Sequence, residues 1–290
     1  MRTISLFVAA VAVLGAAGAV VAIGCGDDKA AAQPPVPVVA PEPVKAPEPA
    51  AAVPAPKAAE PAPAEEVVYT PVNLQGGGSI SGQIKVKEPP RRRKINMDAD
   101  PKCAAMHAER LLTEEVVADA EGNVQWAFVY VKKGLEGKKF EVPKTPVVID
   151  QKGCRYEPHV FGVMTNQEIL IKNSDDLLHN IHALPFNNKE FNFGQPSKGM
   201  EEKKSFGTVE VMIKIKCDVH PWMSAWAGVL DHPFHATTDA AGKYEIKGLP
   251  AGKYTVEVWQ EKYVNVSADV EVKEGAATTW NVEMANKRGE

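Results

Sequence analysis

The residues best suited to chemistry lie together in one short loop in the last third of the chain. Cys217, His220 and Met223 follow a predicted strand, Val209 to Ile215, at a Cys-x2-His-x2-Met spacing. A thiolate and imidazoles in a trigonal set, with a weak axial thioether, suit copper that cycles between two oxidation states. The loop therefore predicts three ligands of one mononuclear copper site.

The fourth ligand should be a histidine from a distant strand. His179 is well placed for this role, and His182 is the alternative three residues later. Residues three apart on a strand face opposite sides, so only one of the two can point at the metal.

These two segments carry a resemblance to a known family. Residues 217–223, Cys-Asp-Val-His-Pro-Trp-Met, resemble the ligand loop of the amicyanin-like cupredoxins, and residues 179–182, His-Asn-Ile-His, resemble their other ligand segment. The resemblance spans residues 156–230. It implies a blue, type 1 copper site with ligands His179, Cys217, His220 and Met223, and it favours His179 over His182. It also implies that Asn180 fastens the two ligand segments by hydrogen bonds.

Pro221 and Trp222 lie inside the ligand loop. An aromatic side chain beside a solvent-edge histidine predicts a docking and electron-exit surface for redox proteins that serve as donor and acceptor. The alternative is that both residues are ordinary surface loop.

The four cysteines have different expected roles. Cys25 is a candidate for lipidation, and Cys103 and Cys154 are expected to form a disulfide, as exported thiols tend to do. Cys217 is then left over, and a metal explains a leftover thiol in an oxidising compartment.

A second metal site is an alternative use of the middle cysteines, since Cys103, His107, Cys154 and His159 are all suitable ligand types. The run from Cys103 to His107 lacks the second cysteine that attachment of a c-type haem requires.

The first 66 residues predict export and tethering. Residues 1–25 have the layout of a signal peptide, and residues 22–25, Ala-Ile-Gly-Cys, resemble a bacterial lipobox. The alternative is an uncleaved anchor, because about 20 apolar residues can span a bilayer. The Ala/Pro-rich composition of residues 26–66 predicts a disordered linker. We therefore expect an exported lipoprotein of the periplasm or cell envelope, held at a membrane.

The rest of the chain predicts an all-β fold. Short apolar runs separated by Gly, Pro, Asn and Asp favour packed sandwiches, with one helix from Pro101 to Leu112. We expect a β-rich region at 67–140, either a sandwich of its own or extra cupredoxin strands, and a cupredoxin-like Greek-key sandwich at 141–233. Residues 248–258, with Gly-Leu-Pro-Ala-Gly before alternating apolar residues, resemble the carboxypeptidase regulatory-like, transthyretin-type sandwich. That small domain is expected at 234–286, as a spacer or docking module.

Charge and motifs restrict the function. The chain has 33 basic and 37 acidic residues, which argues against nucleic acid as a partner. No nucleophile elbow, phosphate loop or metalloprotease helix is present in the sequence, so we expect no enzyme. Electron transfer is the expected function. The alternatives are a non-redox envelope module, and a protein for copper storage or delivery.

Overall fold

The computed structural model describes residues 76–287. The predicted signal peptide, Cys25 and the linker at 26–66 lie outside the described residues. Within 76–287, no helix is long and apolar enough to cross a bilayer.

The described chain is almost entirely strand. The first ten strands are β1 (Gly78–Val86), β2 (Val117–Ala118), β3 (Val124–Gln125), β4 (Phe128–Lys133), β5 (Val147–Gln151), β6 (Tyr156–Glu157), β7 (Val160–Met164), β8 (Ile169–Asn173), β9 (His179–Leu184) and β10 (Phe191–Gln195). The others are β11 (Glu201–Lys204), β12 (Glu210–Lys216), β13 (Ser224–Leu230), β14 (His235–Thr237), β15 (Lys243–Leu249), β16 (Gly252–Gln260), β17 (Tyr263–Val272), β18 (Ala277–Thr279) and β19 (Val282–Met284). The helix α1 spans Pro101–Ala105.

Two sheets form the first sandwich and hold the candidate ligands. One sheet has the order β10-β9-β12-β13-β7 and the other β11-β8-β5-β6. Alternating β-branched residues turn one face of each sheet inward, and Ile149, Ile171, Ile181 and Ile215 are buried in the core between them. The all-β fold of packed sandwiches that the sequence predicts is confirmed.

The second sandwich contains strands from both ends of the described chain. Its sheets are β14-β4-β16-β17 and β15-β1-β18, with β19 also paired to β1. β1 and β4 lie in the region 67–140, for which we expected a separate sandwich or added cupredoxin strands. The structure differs from both expectations, because these strands supply Ile80, Ile84 and Val129 to the core of the C-terminal sandwich. That sandwich is therefore completed by residues far upstream of 234.

An apolar layer joins the two sandwiches. Phe128 on β4 stacks on His235 on β14, with ring centroids 5.3 Å apart. Opposite them lie two glycines that are paired in the β7–β13 register, Gly162 and Gly228. A Cβ at Gly228 would overlap the ring of Phe128, and one at Gly162 would overlap the ring of His235. Glycine at these positions lets the two sandwiches approach closely.

The helix is shorter than predicted. We expected helix from Pro101 to Leu112, but α1 ends at Ala105. The following chain turns away because the carbonyl of Leu111 accepts the N–H of Ile95 at 2.7 Å and Leu112 forms a bridge with Lys94. Pairing with the preceding segment thus replaces the last turns of the expected helix.

Candidate metal centre

Two neighbouring strands bring the candidate ligand segments together. β9 begins at His179, and β12 ends one residue before Cys217. The strands are antiparallel with Lys216 opposite His182, so the chain that leaves β12 lies beside the start of β9. His179 and Cys217 therefore meet at the same end of the sheet.

The loop that carries the other ligands folds back on itself. The N–H of His220 donates to Sγ of Cys217 at 3.3 Å, and the N–H of Met223 donates to the carbonyl of His220 at 2.9 Å. The N–H of Cys217 donates to the carbonyl of Met223 at 3.3 Å. Pro221 has a fixed φ, which further limits the conformations open to the loop. The loop thus holds its candidate ligands in one closed turn.

Three donor atoms converge in a buried space. Nδ1 of His179 lies 3.1 Å from Nδ1 of His220, and Nδ1 of His220 lies 3.8 Å from Sγ of Cys217. One ligand atom from each of these residues lies within 4.8 Å of the others. The exposed fractions are 0% for His179, 2% for Cys217 and 1% for His220, so water has little access to the three donors.

Each imidazole is held from behind by a carboxylate. Nε2 of His179 lies 2.8 Å from Oδ2 of Asp175, and Nε2 of His220 lies 3.1 Å from Oδ2 of Asp100. Burial raises the pKa of Asp175, but hydrogen bonds from the N–H of Cys154 and from His179 outweigh it, so the pKa is lowered. The hydrogen bond from His220 lowers the pKa of Asp100 against the opposing effect of burial. An ionised carboxylate can only accept, so both Nε2 atoms carry a hydrogen.

This arrangement fits a metal cation. With a hydrogen on each Nε2, the two Nδ1 atoms present lone pairs to one another at 3.1 Å. Two facing lone pairs beside a thiolate repel unless a positive charge, either a proton or a metal ion, lies among them. The outer carboxylates are also the partners that metal-ligating histidines usually have. The donor set of one thiolate and two imidazoles suits copper.

The environment of Cys217 favours its thiolate. Burial disfavours the charge, but hydrogen bonds outweigh burial and lower the pKa of Cys217 from 9.0 to about 6. They come from His179 and His220, whose Nδ1 atoms donate to the thiolate when a proton occupies the place of the metal, and from backbone N–H groups. The thiol is therefore ionised at neutral pH, which is the form that binds a metal.

The titration of Cys217 gives a testable prediction. We expect the ultraviolet thiolate absorbance of the folded, metal-free protein to titrate with a midpoint near pH 6, and the signal to be absent in Cys217→Ala. Since the folded-state pKa is depressed, the thiolate's contribution to the free energy of unfolding is fully present above pH 9 and is lost as the pH falls through about 6. A midpoint near pH 9 in the folded protein would contradict this account.

Asn180 joins the two ligand segments. Its Oδ1 accepts the N–H of Asp218 at 2.9 Å, and its Nδ2 donates to the carbonyl of Phe193 at 3.1 Å. This is the geometry expected for the fastening residue. His182 faces the other way, where its ring nitrogens contact Asp218 at 2.9 Å and Glu190 at 2.7 Å. His182 is therefore outside the donor cluster.

The remaining residues of the loop lie around this cluster. Met223 is 1% exposed and packs in the core of the first sandwich. Pro221 is exposed and Trp222 is half-buried, with its ring centroid 5.1 Å from that of His220. The expected electron-exit surface depended on a solvent-edge histidine, but His220 is buried here. The structure differs on this point because the segment around Asp100 covers the outer edge of the ring.

The disulfide lies against the candidate metal centre. Cys103 and Cys154 are bonded at 2.03 Å, and Sγ of Cys103 is 3.7 Å from Nε2 of His220. The carbonyl of Cys154 accepts the indole N–H of Trp222 at 3.1 Å. We call residues 100–103, which cover the outer edge of the His220 ring, the covering segment. The bridge links this segment to Cys154 in the wall of the site.

The alternative second metal site is not assembled in the described residues. The disulfide uses both thiols, Nε2 of His107 contacts the carbonyl of Gly153 at 2.9 Å, and Nδ1 of His159 contacts the carbonyl of Ser224 at 2.9 Å. The two histidines thus contact two different backbone carbonyls and do not share a site.

Sequence reasoning missed both carboxylate partners. Asp175 lies four residues before His179, and that spacing is a signal that could have identified it. Asp100 lies 120 residues from His220, and no local pattern connects the two.

One comparison with known proteins identifies the C-terminal domain. The sequence of residues 229–285 matches the family model of the carboxypeptidase regulatory-like domain. This part of the chain is therefore similar to that family. In the structure, β1 and β4 from outside the matched range complete the sheets of the sandwich that contains it.

Solved copper proteins are also similar to parts of this chain. A variant of amicyanin in its Cu(I) form is 21% identical, with 31% of this chain and 86% of that chain covered and a TM-score of 0.27. A copper-containing nitrite reductase from Thermus scotoductus is 17% identical, with 31% and 23% covered and a TM-score of 0.27. A purple cupredoxin from Nitrosopumilus maritimus is 22% identical, with 29% and 98% covered and a TM-score of 0.24. A comparison with curated protein sequences finds no match. The assignment of the metal centre therefore rests on its own geometry.

Proposed function

We propose that this chain is an exported, membrane-tethered protein with one type 1 copper site, that it transfers single electrons between redox proteins, and that it is not an enzyme. The observation that carries the proposal is the buried convergence of the Cys217 thiolate with the Nδ1 atoms of His179 and His220. Bound there, copper would supply a one-electron couple.

The protein's own residues favour rapid exchange without rearrangement. His179, Cys217 and His220 would hold the metal, and Met223 would supply the weak axial thioether. Asn180 and the closed loop fix the two ligand segments before a metal arrives. Because the donors are already in place, a change of oxidation state need not move them, which lowers the cost of transferring an electron.

The burial of the site favours electron transfer over catalysis at the metal. All three donors are almost fully enclosed, so a substrate has no direct path to an open coordination position. A cleft of about 450 Å³ reaches the ligand loop, and its lining includes Cys217, Trp222 and Met223. We place the contact with redox partners at this cleft rather than at the edge of His220.

The choice between the two histidines gives a direct test. We expect His179→Gln to abolish the visible thiolate-to-copper band and to weaken copper binding by more than the roughly 10-fold to 100-fold that loss of an outer partner costs. His182→Gln is the matched control, because it lies on the same strand with its ring paired to Asp218 and Glu190. It should keep the band.

Titration with copper, followed by voltammetry, measures both variants and the parent protein. Electron transfer predicts one tight copper per chain and a reversible one-electron couple. A copper-storage or delivery protein would bind copper(I) tightly and exchange electrons poorly. A non-redox module would show no stoichiometric site.

A further inference from the structure

We infer that Asp100 is a positioning residue for His220 and that the disulfide between Cys103 and Cys154 holds it there. This inference rests on the proposed copper function and deepens it. It assigns a role to the segment that covers the metal centre, which lies outside the resemblance to cupredoxins.

The contact joins two distant parts of the chain. Oδ2 of Asp100 lies 3.1 Å from Nε2 of His220, across 120 residues of sequence. The other oxygen, Oδ1, accepts the N–H of Lys102 at 3.0 Å and the N–H of Cys103 at 3.3 Å. One oxygen thus faces the imidazole while the other is anchored to the backbone of α1, so the carboxylate has one orientation.

The disulfide fastens this segment to the wall of the site. Cys103, whose N–H donates to Oδ1 of Asp100, is bonded to Cys154. The N–H of Cys154 in turn donates to Oδ2 of Asp175, the carboxylate that holds His179, at 2.8 Å. Each half-cystine therefore donates a backbone hydrogen bond to the aspartate that supports one of the two histidines.

The chemical consequence follows from the hydrogen bond. A carboxylate that accepts a hydrogen bond from Nε2 keeps the hydrogen on that nitrogen and leaves the Nδ1 lone pair for the metal. It also makes the imidazole a stronger electron-pair donor to the metal. A stronger donor and a nearby negative charge favour the more highly charged Cu(II) over Cu(I). Asp100 thus lowers the reduction potential, and the ring of His220 keeps the same orientation in both oxidation states.

Asp100→Asn separates this role from a structural one. Asparagine caps helices about as well as aspartate, so α1 should keep its cap while the charge facing His220 is lost. Asp98→Asn is the matched control, because Asp98 lies in the same turn and pairs with Arg110 at the surface.

The first measurement is the reduction potential of the copper-loaded proteins. We expect Asp100→Asn to weaken Cu(II) binding relative to Cu(I) by about 10-fold, which raises the potential by about 59 mV for one electron. Asp98→Asn should leave the potential unchanged. If Asp100→Asn behaves like Asp98→Asn, the inference is overturned.

The second measurement uses the metal-free protein, so it stands apart from the copper function. Nitrogen-15 NMR of His220 should show the hydrogen on Nε2 in the parent chain and a mixture of tautomers in Asp100→Asn. Failure of the parent protein to form a type 1 site would refute the proposed function alone. An unchanged tautomer in Asp100→Asn would refute the role of Asp100 alone.

The role of the disulfide is tested by combining variants. Cys103→Ser with Cys154→Ser should raise the potential in the same direction, and Asp100→Asn should add less to it in that background than in the parent chain. Full additivity would show that the bridge does not hold Asp100 in place.

Discussion

We expect the replacement of Cys217 by serine to abolish the visible absorption of the copper-loaded protein. In a type 1 site this band comes from charge transfer between a thiolate and copper, and Cys217 is the free cysteine among residues 76–287. Serine has nearly the same volume, so the buried site and the sandwich around it should keep their packing. We expect loss of the band, with an unchanged near-ultraviolet circular dichroism spectrum of the metal-free protein.

Val219→Ser is the matched control for this variant. Val219 lies in the same loop, but its side chain is 45% exposed, which places it away from the buried donors. This variant should keep the full band. Retention of the band in Cys217→Ser, measured by absorbance at equal copper loading, would remove the basis for the ligand assignment.

Removal of the disulfide is the second change with a large expected effect. The bridge closes a loop of 51 residues, which in the chain-entropy model corresponds to about 4 kcal/mol in the free energy of unfolding. We expect Cys103→Ser with Cys154→Ser to lose an amount of this order in urea unfolding of the metal-free protein. Both half-cystines are completely buried in the folded protein. In the chain-entropy model the loss arises in the unfolded chain, which has more conformations open to it without the bridge.

A reducing agent provides the control for this double variant. Reduction should bring the parent protein to the stability of the double variant and should leave the double variant unchanged. A loss smaller than about 1 kcal/mol would show that the covering segment holds its place without the bridge.

The ligand loop was predictable because its information is local. Cys217, His220 and Met223 lie within seven residues. The two intervening residues between each pair of donors allow all three side chains to reach one ion. His179 needed a resemblance as well, since strand alternation excludes one of the two histidines without saying which. In the structure, the pairing of β9 with β12 turns His179 toward Cys217 and His182 toward Asp218.

Long-range pairings were not predictable in the same way. Alternation of apolar residues in β1 indicates a strand with one buried face, but it does not encode that Ile80 lies opposite Ile246. The contact of Asp100 with His220 depends on another long-range link, the disulfide from Cys103 to Cys154, which holds the covering segment in place. The predicted helix failed for a related reason, since tertiary pairing of Ile95 with Leu111 overrode local helix propensity.

The electron paramagnetic resonance spectrum of the copper-loaded protein, recorded together with its optical spectrum, tests the central assignment most directly. A Cys217 thiolate and two imidazoles around one ion predict an intense visible band and the narrow copper hyperfine splitting of a type 1 site, at one copper per chain. A colourless protein with the wide splitting of ordinary Cu(II) would contradict the assignment.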